Sequence, residues 1–151
     1  MNKLPKRITS ALVTMSVAWL TTTALVLGQS AAARTVWSKV YTEDQAKRGQ
    51  TAYAKSCAPC HGDDLMGMGN NPVLVDEDFL FFWADKDKSV GDLFEHVQNF
   101  MPSDAPNSLP PDVYRDIVAY LLKANKFPSG SVELSTEVED LKQIKITRTD
   151  H

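Results

Sequence analysis

The sequence predicts an all-α fold: about four or five short helices, joined by long loops, wrapped around a bound group and followed by an irregular C-terminal tail. Three observations predict it. Apolar residues recur at helical spacing in separate short segments. No segment shows sustained strand alternation. Residues 62–78 hold Gly62, Gly67, Gly69 and Asn70-Asn71-Pro72, a run of breakers that a compact domain rarely carries unless the chain has something to wrap around.

The chain has 151 residues, 43% hydrophobic and 23% charged, which suits one globular domain but not two full cores. Two cysteines are too few for a disulfide framework. Lys3, Lys6 and Arg7 precede an apolar stretch from Ala11 to Leu27, and Ala31-Ala32-Ala33 follows. That order marks residues 1–33 as an export signal. Thr14, Ser16 and Thr21 to Thr23 interrupt the stretch, which weakens the alternative of a retained membrane anchor. The expected organisation is a signal peptide over 1–33, a domain over 34–128 and a C-terminal extension over 129–151. The expected destination is the periplasm. Three of the 16 basic residues and none of the 19 acids precede the cut. The remaining 13 bases and 19 acids give −6, which makes nucleic acid a poor partner. The membrane would be a partner only if the signal were kept.

The elements follow in order. Thr42-Glu43-Asp44-Gln45 has the form of a capping box, and its two acids suit the positive end of a helix. Ala46, Gly49, Tyr53 and Cys57 then share one face. After the long loop, Phe79, Phe82 and Trp83 suggest a short apolar helix. Ser89 can cap the next, whose face is Val90, Leu93, Phe94 and Val97. His96 stands off that stripe and is expected on the solvated flank. Pro102 ends the helix, and Pro106 and Pro110 keep the following segment extended. Pro111 suits the first turn of a last helix, with Val113, Ile117, Tyr120 and Leu121 inward.

The chemistry lies in Cys57-Ala58-Pro59-Cys60-His61. Two thiols separated by two residues and followed at once by histidine form the attachment pattern of a c-type haem. The spacing presents both sulfurs to one porphyrin, and the adjacent imidazole reaches the iron from the same side. A thioredoxin-like dithiol would need a strand before the motif and a βαβ pattern around it. A zinc site would need a fourth ligand, for which His96 is the candidate.

Such an iron has a second face. Met101 comes forty residues after His61, in Phe100-Met101-Pro102. The proline bars further helix, so the thioether can project inward from a stiff segment. Met/His ligation is an established haem arrangement. His96 competes as a second imidazole. Met66 and Met68 follow His61 too soon to cross easily to the far face and are read as solvent-facing or packing residues.

Cys-Ala-Pro-Cys-His-Gly-Asp-Asp-Leu, then Phe-Met-Pro, then the Leu109–Asn125 segment resemble the class I cytochrome c domain over about residues 42–128. The resemblance implies a cytochrome c-like fold with one covalently bound haem c. It implies that the first and last helices cross, with Gly49, Tyr53, Tyr120 and Leu121 at the contact. It also implies that the Pro72 carbonyl accepts the Nδ1 hydrogen of His61, and that Trp83 stands near the haem propionates. A narrower likeness rests on Phe79-x-x-x-Trp83, the Ser89–Phe94 segment, Met101–Pro106 and the tail, with Val132–Ser135 and spaced Leu141, Ile144 and Ile146. It resembles the small cytochromes associated with quinoprotein alcohol dehydrogenases.

The implied role is one-electron transfer rather than catalysis. The expected donor is a periplasmic dehydrogenase and the expected acceptor a terminal oxidase or another cytochrome. Leu74, Phe79, Phe94, Phe100 and Ile117 are expected to bury the ring. The alternatives are a cytochrome subunit of another membrane-bound dehydrogenase, or a haem enzyme or gas sensor that displaces its sixth ligand.

Overall fold

The computed structural model describes residues 34–149, so the expected signal over 1–33 lies outside the described residues. Among the described residues no helix is long and apolar enough to cross a membrane.

The described residues form an essentially all-α fold, as expected, with six α-helices and one pair of two-residue strands among them. Helix α1 (Glu43–Ser56) starts where the Thr42 hydroxyl accepts the Gln45 amide at 3.1 Å. Gln45 does not return the bond. Its side chain is fully buried, and its Oε1 accepts the amide of Leu134 at 2.9 Å. The expected capping box is therefore half made, because the glutamine holds the distant tail instead. A four-residue helix, α2 (Ala58–His61), carries the motif. Helix α3 (Asp76–Trp83) follows the long loop. Helix α4 (Val90–Phe100) is capped reciprocally, with Ser89 Oγ accepting from the Asp92 amide and the Asp92 carboxylate accepting from the Ser89 amide. Pro111 opens α5 (Pro111–Ala124).

The frame of the molecule is the crossing of α1 on α5. A Cβ at Gly49 would lie 1.8 Å from the carbonyl oxygen of Asp116, so glycine alone permits this approach. Tyr53 and Tyr120 pack beside it, ring centroids 5.2 Å apart. Across the same contact Arg48 grips the Asp116 carboxylate at 2.7 and 3.0 Å and reaches Glu133 of the tail at 2.8 Å.

Several inward assignments shift. Phe82 is exposed, as is Phe81. In α5, Tyr114 is fully buried, whereas Val113 is only half-buried. The C-terminal tail is irregular only in part. It contains a short helix α6 (Val138–Lys142) packed on α4, and a strand β2 (Ile144–Lys145) paired in parallel with β1 (Arg34–Thr35). Leu134, Leu141, Ile144 and Ile146 are buried. Burying four such side chains, at about 1.5–3 kcal/mol each, offsets much of the entropy of ordering the segment. The two short strands escape a reading based on alternation because two residues cannot show a period.

Candidate functional site

The Cys57–His61 motif sits where α1 turns into α2. The Cys57 amide donates to Tyr53 O at 2.8 Å and closes α1, while the His61 amide donates to Cys57 O at 2.9 Å. Tyr53 fixes the exit, its hydroxyl donating to Gly62 O at 2.8 Å. Beyond it the loop folds back on itself. The Gly67 amide bonds His61 O and the Leu74 amide bonds Leu65 O. Gly67 has φ +74°, and a Cβ there would lie 2.4 Å from Asn71 O.

This fold-back brings Pro72 to His61. His61 Nδ1 stands 3.0 Å from Pro72 O. A carbonyl only accepts, so Nδ1 carries the hydrogen and Nε2 is the nitrogen with a free lone pair. Such a bond also orients the ring. His61 is buried, Cys57 half-buried and Cys60 exposed. Burial pushes the Cys57 thiol up to about 11, away from the lowered value that activates a redox dithiol.

A cavity of about 740 Å³ opens beside the motif. Cys57, Cys60, His61, Pro72, Trp83 and Met101 all line it, and Leu74, Phe79, Leu93, Val97, Ile117 and Leu121 contribute to its apolar wall. Of the residues expected to bury the ring, Phe94 lies in the core without lining the cavity, and Phe100 is exposed. Phe100, the last residue of α4, packs its ring 5.2 Å from that of His96 instead.

Met101 is the first residue beyond α4. Its backbone is extended and its amide donates to Val97 O at 3.0 Å. The Tyr114 hydroxyl donates to Met101 O at 2.8 Å and accepts the Leu109 amide at 3.3 Å. The sequence reading passed over Tyr114, although a large aromatic beside the apolar stripe of α5, with a hydroxyl that needs a partner when buried, is a usable signal. Met66 and Met68 are exposed. His96 is not on a solvated flank. It is half-buried at the cavity edge, its ring 5.6 Å from Trp83 and 5.2 Å from Phe100, and burial lowers its pKa. Among the described residues no three His, Cys, Asp or Glu side chains converge as a metal-binding group.

A wide apolar cavity with two thiols, an oriented imidazole and a thioether on its wall fits a haem attached through Cys57 and Cys60. Fold and site together define a class I c-type cytochrome, an electron-transfer protein. Residues 44–121 match the family described as cytochrome C oxidase, cbb3-type, subunit III. That is just over half of the chain, and the chain belongs to this family. It therefore carries haem c, covalently bound, whose iron supplies reversible one-electron transfer. Among solved structures, the sulfane dehydrogenase SoxCD from Paracoccus pantotrophus is similar at 22% identity and a TM-score of 0.48, over 72% of this chain and 61% of that one. The chain thus spans about three-fifths of the length of that relative. No curated protein matches the sequence.

Proposed function

We propose that this chain is an exported, periplasmic monohaem carrier. In this reading His61 and Met101 ligate the iron, Pro72 orients His61, and Trp83 stands by the propionates. The signal over 1–33 is removed and residues 129–151 form the extension. The supporting observation is the convergence of His61 and Met101, from α2 and from the end of α4, on one mainly apolar cavity that also holds both thiols. Apolar walls disfavour the extra charge of Fe(III), and thioether sulfur favours Fe(II). Both raise the potential towards that of an acceptor.

Electrons enter singly from a periplasmic quinoprotein alcohol dehydrogenase and leave to a terminal oxidase or another cytochrome. The narrower likeness of the Phe79–Trp83 segment and the tail supports that donor. A net −6 beyond residue 33 disfavours docking on an acidic partner and favours a basic or mainly apolar one. The test is stopped-flow reduction of the purified cytochrome by candidate periplasmic dehydrogenases. Rapid, saturable reduction by the quinoprotein enzyme is expected, and its absence beside a faster donor overturns the assignment. A second reading, a cytochrome subunit of another membrane-bound complex, is favoured by the family's name as an oxidase subunit. Stable co-purification with membrane proteins would decide for it.

A further inference from the structure

Tyr114 reaches both ends of the segment that carries Met101. Its side chain is fully buried and comes from α5, the rigid helix of the α1–α5 crossing. Its hydroxyl donates to Met101 O at 2.8 Å and accepts the Leu109 amide at 3.3 Å. One oxygen therefore closes residues 101–109 into a loop. Little else ties this stretch down. Its other backbone bonds are Ala105 N to Pro102 O within the turn, Asn107 N to Gln98 O, and the Met101 amide to α4. Ser103, Asp104, Ala105, Pro106 and Asn107 are exposed.

We infer that Tyr114 is the positioning residue that holds Met101 on the haem iron, by stapling the two ends of its loop. The inference rests on the reading of Met101 as the sixth ligand. A thioether is a weak, neutral donor, so its occupancy depends on how little the backbone has to be ordered to present it. Removing the hydroxyl leaves the Met101 carbonyl and the Leu109 amide without their partner. It also returns loop entropy to the ligand-free state. Both effects favour release of the sulfur without touching the thioether bonds, His61 or Pro72.

The test is a competition measured on the intact ferric protein. Exogenous imidazole takes the sixth position only when Met101 has left, so its apparent affinity is scaled by the fraction of protein with the position open. In Tyr114→Phe the apparent affinity should rise by about tenfold or more, as expected when both hydrogen bonds of the hydroxyl are lost. In a Met101→Ala background the position is always open, and adding Tyr114→Phe should change nothing. Equal affinity in the two proteins that retain Met101 overturns the inference. So does the same shift in both backgrounds, which would mean general loosening of the cavity. Equal affinity in the wild type and in Met101→Ala overturns the ligand reading itself, and this inference with it. The unmutated protein supplies a second measurement that no folding defect can obscure. The Leu109 amide should exchange far more slowly than the amides of the exposed residues Asp104 and Ser108. Exchange at Leu109 as fast as theirs also overturns the staple.

Discussion

Gly49 lies against the carbonyl of Asp116 so closely that a Cβ would stand 1.8 Å from the oxygen and 2.4 Å from the carbon. Both atoms belong to helix backbone and cannot swing aside. Gly49→Ala should therefore force α1 and α5 apart. The expected loss is about 3 kcal/mol or more, from overpacking, against a gain of about 1 kcal/mol in helix propensity. Denaturant unfolding of the haem-loaded protein measures it, and an unchanged midpoint would mean the helices do not cross this tightly.

Covalent attachment makes the next prediction. Cys57 and Cys60 both line the cavity. Replacing both with serine should abolish haem staining on a denaturing gel and leave a polypeptide of bare mass. A stained double variant would remove the basis for reading the motif as an attachment site.

How much was legible depended on how local each signal was. The breakers that follow the motif and the five-residue motif itself speak within a few positions, and each has a defined place in the structure. The loop ends at Val75, sooner than the expected residue 78, because Asp76, Glu77 and Asp78 form the acidic first turn of α3. The close approach at Gly49 was legible only through the family resemblance. Gln45 shows the opposite case. Its capping pattern was local, but a tail amide 89 residues on took its side-chain oxygen. Val113 and His96 mislead for a related reason. Helical spacing sorts residues by face, yet a flank residue such as His96 is buried or solvated according to which element packs beside it. Here that element is α3, through Trp83 and Phe82.

His96 also gives a pH prediction. Burial holds its pKa below the ordinary 6.5, so the unfolded chain takes the proton first as pH falls. Its contribution is whole above about 6.5 and is lost as pH drops towards the folded value. Lys88, Asp92, Glu95 and Asn99 share the groove beside it. His96→Phe should flatten the acid side of the stability profile in that window. A profile parallel to that of the wild type would mean the ring does not titrate differently on folding.

Arg148 pins the tail to the α3–α4 connection. It meets the Asp85 carboxylate at 2.7 and 2.8 Å and Glu77 at 2.9 Å, and the nearby Ile146 amide bonds Lys88 O at 3.0 Å. Arg148 holds the Asp85 carboxyl below its usual range. That contribution is present above the ordinary carboxylate pKa and is lost as pH falls through the lowered one. The pair is exposed and screened by salt, so Arg148→Ala should leave global stability nearly unchanged. Amide exchange over residues 84–89 should quicken all the same. Unaltered exchange there would show that the burial of Ile144 and Ile146, with the Ile146–Lys88 and Lys145–Asp87 bonds, holds the tail without Arg148.

The choice of sulfur at position 101 makes the sharpest electrochemical prediction. A thioether favours Fe(II), whereas imidazole is a stronger donor that favours Fe(III). Met101→His should therefore lower the midpoint potential by a substantial part of the roughly 0.8 V that axial ligands span. The oxidised protein should also lose the weak far-red band expected of methionine bound to ferric haem. The substitution leaves Leu74, Phe79, Val97 and Ile117 of the apolar wall in place, so the comparison separates the ligand from the burial. Redox titration of the two proteins side by side measures it. If the potentials coincide, Met101 does not touch the iron, and His96, at the edge of the same cavity, becomes the residue to replace next.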